Sequence, residues 1–188
     1  MYRELLGTRW DALPASVQEA HRPGPVCGHV DITRGSTALT RLLGAMARMP
    51  PEGRAVAVRL AITQEDKRYV WRRRFGDRWM RSDQWVEAHR GTQLLMERYG
   101  PVLFGFAVEP SPGGLRYVQR ACWLCLGPLR LRVPRWLSPQ VEGSLEHHAG
   151  TTAMLDVEIR GPMSLGRICR YQGHVQAERT PALGETAP

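Results

Sequence analysis

Alternation of apolar residues with small or polar ones dominates the chain from Arg54 onward. The clearest run is residues 55–62, where valine, leucine or isoleucine occupies every second position. A period of two is typical of β-strands that bury one face. Turn-forming residues separate the runs and no helical pattern intervenes, so we predict an antiparallel meander of about nine or ten strands.

The first fifty residues show helical spacing instead. Short helical pieces end at the proline- and glycine-rich residues 21–25, and a strand is predicted for Cys27–Arg34. Ser36 or Thr37 can cap a further helix, which ends at residues 49–51. An apolar stripe of the kind that packs against a core runs along this helix and consists of Leu39, Leu42, Leu43 and Met46.

So many strands favour a curved sheet, because an open sheet leaves two unpaired edges. We therefore predict the fold class α+β, with a strongly curved or closed, barrel-like antiparallel β-sheet and N-terminal helices. A barrel of about eight or more strands can hold a small ligand. A single domain is expected over residues 1–177, with a helical part at 1–50, the sheet at 54–177 and a flexible tail at 178–188.

Residues Lys67–Asp83 are predicted to form a hairpin of two strands with a turn at 76–77. Trp71, Arg73 and Phe75 share one face of its first strand. Either an arginine therefore enters an aromatic interior, or the aromatic side chains face outward. The first alternative makes the hairpin the wall of a ligand site, whereas the second makes it structural.

Carboxylates at alternating positions are the candidate partners of the arginines. If Glu97 points inward, Arg73 or Arg59 is its natural partner, since a buried charge needs pairing. Asp156 and Glu158 share the polar face of one strand, so they either form cross-strand arginine pairs in water or line the interior. A carboxylate in such an interior could act as a general base through a raised pKa.

Eight residues form the predicted ligand-binding set because they combine charged groups with aromatic neighbours. They are Arg59, Trp71, Arg73, Phe75, Glu97, Asp156, Glu158 and Tyr171. No catalytic residue can be named, no metal ligand is predicted and no cofactor is expected.

The net charge of +8 comes almost entirely from arginine. Lys67 is the only lysine, so 25 of the 26 lysines and arginines are arginines. Such a bias can mark nucleic-acid binding. The arginines are dispersed apart from residues 72–74, however, whereas a nucleic-acid footprint is expected to cluster. Nucleic acid is therefore not the expected partner.

The cysteines and the N-terminal sequence give information on the cellular compartment of the protein. Residues three apart in a strand point to opposite faces, so Cys122 and Cys125 are predicted to be buried thiols and not a metal or redox pair. Neither a signal peptide nor a stretch of transmembrane length is recognisable in the sequence. These features predict a soluble, cytoplasmic protein without a membrane partner.

Short motifs spread over nearly the whole chain carry a resemblance to a known family. They are HRPG at 21–24, MPPEG at 49–53, WRRRFG at 71–76, MERYGP at 96–101, GGL at 113–115, PRWLSP at 134–139, LDVEI at 155–159 and YQG at 171–173. Together they resemble a bacterial domain family of unknown function, whose members occur alone or behind saccharopine-dehydrogenase-like reductase domains. The resemblance implies no catalytic residues. It implies a possible reductase partner and a role in small-molecule metabolism.

Three functions are compatible with these observations. The leading one is a small-molecule-binding domain that holds a partly apolar, anionic ligand within the curved sheet, because the arginine fork suits carboxylates and phosphates. The first alternative is a metal-independent acid–base enzyme that uses the same cavity. The second alternative is a basic interaction module for nucleic acid or a protein partner. The sequence leaves enzymatic activity and the oligomeric state open.

Overall fold

Eleven strands and four short helices make up the computed structural model, which describes residues 1–178 apart from the side chain of Ser164. The tail predicted for 178–188 lies outside the described residues from position 179 onward. The helices are α1 (Tyr2–Leu6), α2 (Thr8–Asp11), α3 (Ala15–Glu19) and α4 (Ala38–Met46). The strands are β1 (Gly24–Arg34), β2 (Gly53–Glu65), β3 (Arg68–Phe75), β4 (Arg78–His89), β5 (Thr92–Tyr99), β6 (Val102–Ser111), β7 (Gly114–Leu126), β8 (Leu129–Arg132), β9 (Gln140–Ala149), β10 (Thr152–Arg160) and β11 (Arg167–Ala177), and a single 3₁₀ turn covers Pro162–Ser164.

The sheet closes into a barrel of ten antiparallel strands. Their order is β6, β5, β4, β3, β2, β1, β11, β10, β9, β7, and a pairing between β6 and β7 joins the two ends. Within the described residues β8 pairs with β7 alone and stands outside the ring. Closure removes the unpaired edges of the sheet, and for this reason the large number of strands predicted a closed sheet. The predicted fold class is confirmed.

Each strand directs every second side chain into the barrel. The register sets Val58 opposite Phe75 and Val157 opposite Tyr171, and directly opposed residues share a face. Large inner side chains with almost no exposure form the core between these walls. They are Val30, Ile32, Ile62, Phe75, Leu95 and Leu115.

The two ends of the barrel differ. Helices α1, α2 and α3 pack into one end, here named the plugged end, where the β2–β3, β4–β5, β6–β7 and β9–β10 turns lie. The opposite end, here named the mouth, carries α4, the β7–β8 hairpin, the turns at 76–77 and 100–101, and the segments 133–139 and 161–166.

Apolar side chains hold helices α1, α2 and α3, here named the plug, in place. Leu13, Val17 and Ala20, in α3 and directly beside it, are buried. Burying a large apolar side chain contributes about 1.5–3 kcal/mol, so the plug is an integral part of the core. The buried side chains that α1 and α2 add to the same core are Tyr2, Leu6 and Trp10.

The predicted packing face of α4 is wrong. Leu39, Leu42 and Met46 are 46%, 57% and 72% exposed, whereas Thr40 and Gly44 are buried. The remaining member of the predicted stripe is half-buried against the barrel core. The helix therefore turns most of its apolar stripe to solvent.

Arg34 explains this orientation of α4. Its Nη1 donates to the carbonyl oxygens of Met49 and Pro50 at 3.0 and 2.9 Å, which brings the guanidinium against the helix. A Cβ at Gly44 would collide with that guanidinium. Thr37 caps the helix as predicted, since its Oγ1 accepts from the Thr40 N–H at 3.2 Å.

Leu115→Ala is expected to lower the free energy of unfolding by about 2–5 kcal/mol, because Leu115 is fully buried and its truncation leaves a cavity. Leu126→Ala on the same strand is the control. Leu126 is 54% exposed, so its truncation is expected to change stability by less than about 0.5 kcal/mol. Chemical denaturation measures both, and equal losses would contradict the placement of the inner core.

Candidate functional site

The first strand of the hairpin directs Trp71, Arg73 and Phe75 into the barrel. Their register partners on β2 are all inner residues, so the inward alternative left open by the alternation is correct. Trp71 and Phe75 are buried, and the side chain of Arg73 is 16% exposed. The arginine therefore does enter an aromatic interior.

Arg73 forms a largely buried ion pair with Glu97. The Arg73 Nη2 donates to Glu97 Oε1 at 2.9 Å, and its Nη1 donates to Ser82 Oγ at 2.7 Å. The Ser82 hydroxyl donates in turn to the same Glu97 oxygen at 2.6 Å. Strand register produces this cluster, because the three side chains lie on the inner faces of β3, β4 and β5. The pairing that the sequence suggested for Glu97 is thus with Arg73.

The cluster stays charged inside the barrel. Burial by itself raises the pKa of the Glu97 carboxyl, but the Arg73 guanidinium and the Ser82 hydroxyl outweigh it and lower that pKa below its ordinary value. Burial disfavours the charged form of Arg73, and Glu97 again outweighs it, so the pKa of Arg73 is raised. The pair is therefore ionised and has no net charge.

A second polar chain links the plug to the barrel wall. The Tyr2 hydroxyl donates to Gln84 Oε1 at 3.1 Å. His21 Nδ1 lies 2.7 Å from the Val17 carbonyl oxygen, which can only accept, so this nitrogen carries the proton. The other ring nitrogen, Nε2, then accepts a hydrogen bond from the Tyr117 hydroxyl.

Burial keeps these groups uncharged. It lowers the pKa of His21 from its ordinary 6.5 to about 4, with the Val17 hydrogen bond acting in the opposite direction. It also raises the pKa of Tyr117 and of Tyr2 above the ordinary tyrosine value. At neutral pH the imidazole and both phenols are therefore neutral hydrogen-bonding groups.

One buried donor in this interior has no partner among the described residues. Trp71 Nε1 is shielded from solvent and forms no hydrogen bond. The guanidinium of Arg73 lies 5.0 Å from the Trp71 ring centroid, so the indole also stabilises the cation. A buried N–H without an acceptor costs free energy.

The opposite wall is apolar and keeps accessible surface. Its side chains point inward but are half-buried, in contrast to the fully buried core beside the plug. They are Val141, Leu155, Val157 and Ile159. Phe104, which is also half-buried, lies on β6 directly opposite Glu97. The side chain of Glu97 likewise remains 20% exposed. Accessible surface on the inner side of the sheet therefore occurs both at Glu97 and on this apolar wall.

Tyr171 belongs to the same interior. Its ring packs against Phe75 with centroids 5.2 Å apart and nearly edge to face. Burial raises the pKa of its hydroxyl, which is therefore neutral. Five of the eight predicted residues thus share the interior, namely Trp71, Arg73, Phe75, Glu97 and Tyr171.

Three of the predicted residues are not in this interior and are removed from the candidate site. Asp156 accepts two hydrogen bonds from Arg170 at 2.6 and 2.9 Å on the outer face. Glu158 lies on the same face and bonds two arginines, so both acids form the solvent-facing pairs that the sequence left as an alternative. Arg59 is exposed and lines an outer groove of about 490 Å³.

Sequence reasoning missed several members of the interior. Ser82 and Gln84 follow the alternation of β4 and could have been found from it. Tyr2 and His21 lie in the N-terminal segment, where nothing in the sequence indicates that the helices enter the barrel. Tyr117 is on the inner face of β7, opposite an inner valine of β6.

The thiols of the CxxC motif point to opposite faces of β7, as predicted. Cys122 is opposite the inward-facing Phe104, whereas Cys125 packs in a cluster on the outside of the barrel. Burial raises the pKa of Cys122 to about 11, so it is a thiol at neutral pH. Across the described residues, no group of three or more histidines, cysteines or acids is placed to hold a metal ion.

Comparison with known protein families assigns the chain to one of them. The model of one family, described as Domain of unknown function (DUF4166), matches residues 13–175. The chain belongs to this family. A comparison of this DUF4166 domain with the curated proteins finds no match. In the part of the domain that the structure describes, none of the helices has the length and apolar character to span a membrane.

Glu97→Gln is expected to lower the free energy of unfolding by about 2–4 kcal/mol, because it leaves the Arg73 guanidinium buried without a counter-charge. Asp156→Asn is the matched control on the outer face. Its ion pair with Arg170 is more exposed, so the expected loss is below about 1 kcal/mol. Denaturant titration at neutral pH compares them, and similar losses would argue against a buried ion pair.

Acid is expected to destabilise the domain through His21. Between pH 6.5 and about 4 the unfolded chain binds a proton on this imidazole and the folded chain does not, so stability falls as the pH falls through that window. The contribution at pH 7 relative to pH 4 is about 3 kcal/mol. Unfolding free energies at both pH values measure it. His21→Gln should flatten this slope, whereas His148→Gln, at an exposed position, should retain it.

Proposed function

We propose that this DUF4166 domain binds a small, partly apolar molecule inside the barrel. The observation that carries the proposal is the juxtaposition of a buried polar cluster with an inward-facing aliphatic wall that keeps accessible surface. Sites for small molecules combine an apolar lining with a few fixed polar groups in this way. The closed barrel is compatible with such a role.

The polar cluster bears on the charge of the ligand. The expectation of an anion depended on an arginine that is free to bind it. Arg73 already bonds Glu97 and Ser82, and the tyrosines and the histidine beside them are neutral. We therefore propose that the polar end of the ligand is uncharged, such as a hydroxyl or a carbonyl group. An anionic ligand remains the competing alternative.

Trp71 supports this choice. Its Nε1 is a buried donor without an acceptor among the described residues, and a ligand oxygen that displaced its apolar neighbours would satisfy it. A hydroxyl or carbonyl oxygen can accept such a bond without adding charge to the interior. The apolar part of the ligand would then lie along Leu155 and Val157 on the opposite wall and along Phe104 beside Glu97.

Binding is favoured over the acid–base alternative by the direction of the pKa shifts. A general base at neutral pH benefits from a raised carboxyl pKa, and the pKa of Glu97 is lowered by Arg73 and Ser82. His21 is held between a backbone carbonyl and the Tyr117 hydroxyl, so both of its ring nitrogens are occupied.

The biological setting of the domain is also a proposal. A cytoplasmic location rests on the sequence, and a reductase partner rests on the family resemblance. A reductase would fit a domain that holds a substrate or product with a carbonyl or hydroxyl group, since reduction interconverts the two. Nucleic acid is not proposed, because acids of the chain pair many outer arginines, including Arg72, Arg74 and Arg81.

A long-chain alcohol and the carboxylic acid with the same carbon chain test the proposal. The alcohol is expected to raise Tm by about 5–10 °C at a hundred times its Kd, because ligand binding to the native state stabilises it by mass action. The acid should raise Tm less, since it brings a charge into a neutral interior. A larger shift with the acid would establish the anionic version.

Variants that fill the lumen locate the binding. Val157→Phe adds bulk on the inner face and should abolish the shift caused by the alcohol. Val118→Phe adds the same bulk on the outer face of β7 and should leave it intact. The binding proposal fails if neither compound shifts Tm and native mass spectrometry of the purified protein detects no bound small molecule.

A further inference from the structure

Exposed apolar side chains are concentrated at the mouth. Among the described residues, the large apolar side chains that are strongly exposed all lie on α4, the β7–β8 hairpin, the start of β4 and the segments 133–139 and 161–166. They are Leu39, Leu42, Met46, Trp79, Leu124, Leu126, Leu129, Leu131, Trp136, Leu137 and Met163. Single exposed apolar residues are ordinary, whereas a concentration at one end marks an interaction surface.

Direct contacts connect the segments that carry these side chains. The backbone of Met163 donates to the carbonyl oxygen of Trp136 at 2.9 Å. The Tyr99 hydroxyl donates to the carbonyl oxygen of Ala47, at the end of α4, at 3.0 Å. Two residues after Tyr99, the Pro101 carbonyl accepts from the Cys125 N–H of the hairpin at 2.7 Å. We name this connected set of exposed apolar side chains the mouth ring.

The hairpin contributes the longest part of the mouth ring. Leu124 is opposite Leu131, and Leu126 is opposite Leu129, so the four leucines share one face of the hairpin. Leu124 is also opposite Val102, an inner residue of β6. The leucine face therefore continues the inner wall of the barrel beyond its mouth.

Positive charge accompanies the mouth ring. Residues 32–51, which include α4, contain three arginines and no acid. In the hairpin and the adjoining loop Arg130 is paired with Glu87, whereas Arg132 and Arg135 form no ion pair among the described residues. A partner that covers these segments meets exposed apolar side chains flanked by cations, which complements an apolar phase under a negative surface.

We propose that the mouth docks on an anionic lipid membrane, with α4 and the β7–β8 hairpin inserting their leucines at the interface. Several projecting segments carry the exposed side chains, and a fluid surface can accommodate them together. Docking of this kind requires no membrane-spanning segment, but it departs from the prediction, made from the sequence, that the protein has no membrane partner. The proposal goes beyond ligand binding and can be tested without any ligand.

Flotation with phosphatidylcholine vesicles, with and without phosphatidylglycerol, tests the proposal. The domain should float with the vesicles that contain phosphatidylglycerol, and added salt should release it because salt screens the arginines. Binding should also shift the Trp fluorescence emission to shorter wavelength, and Trp136→Phe should reduce that shift, since Trp136 is exposed in the mouth ring.

A charge-matched pair of variants separates the mouth ring from net charge. The double variant Leu42→Glu/Leu126→Glu should weaken vesicle binding at least about tenfold, because it replaces two inserting leucines by carboxylates. The control Thr92→Glu/Ala149→Glu adds the same charges at exposed positions of the plugged end and should bind nearly as the parent does. Both should keep the Tm shift caused by the alcohol, so failure of docking is distinct from failure of ligand binding.

Three outcomes would overturn the proposal. The first is absence of flotation with vesicles that contain phosphatidylglycerol. The second is an equal loss of binding in the mouth variant and its control. The third is a dimer in sedimentation that Leu42→Glu/Leu126→Glu dissociates while vesicle binding is absent, since a second copy would then cover the mouth ring.

Discussion

Hydrogen bonding between β6 and β7 is the constraint on which the rest of the structure depends. It joins the first and last strands of the ring and so gives every strand an inner and an outer face. In an open sheet Arg73 and Glu97 would meet water, where an ion pair contributes less than about 1 kcal/mol. Inside the closed barrel the same pair is largely shielded from water and is held in place by hydrogen bonds to Ser82. Removal of either partner would leave the other charge without a counter-charge, which costs free energy.

Gln84 connects this ion pair to the plug. It accepts from the Tyr2 hydroxyl of α1, and its side chain is among the neighbours that lower the pKa of the Glu97 carboxyl. The helices therefore do more than fill one end with apolar side chains. They complete a polar network whose neutral members, Tyr2, His21 and Tyr117, make the interior a place for an uncharged polar group.

The alternation of the sequence predicted the strands and the closed sheet. It also distinguished inner from outer residues, and the predicted ligand-binding set did not use that distinction. Arg73 shares its face with Trp71 and Phe75, whereas Asp156, Glu158 and Arg59 alternate against aliphatic residues. Because the apolar face of each strand became the inner face, Arg73 is inside and the other three are outside. The remaining residues of the interior could not be predicted from the alternation within single strands. Tyr2 and His21 depend on how the helices enter the barrel, and α4 is oriented by Arg34, whose guanidinium needs the space that Gly44 provides.

The orientation of α4 and the leucines of the hairpin have a common consequence. An apolar stripe is expected to be buried, yet both elements present theirs to solvent at the end of the barrel opposite the helical plug. The register that places Leu124 opposite Val102 makes the hairpin leucines and the inner wall one apolar face. An apolar molecule at the mouth would therefore meet a surface that is continuous with the inner wall of the barrel. The site and the surface beside it therefore suit the same kind of molecule, one that is mostly apolar and has a single polar end.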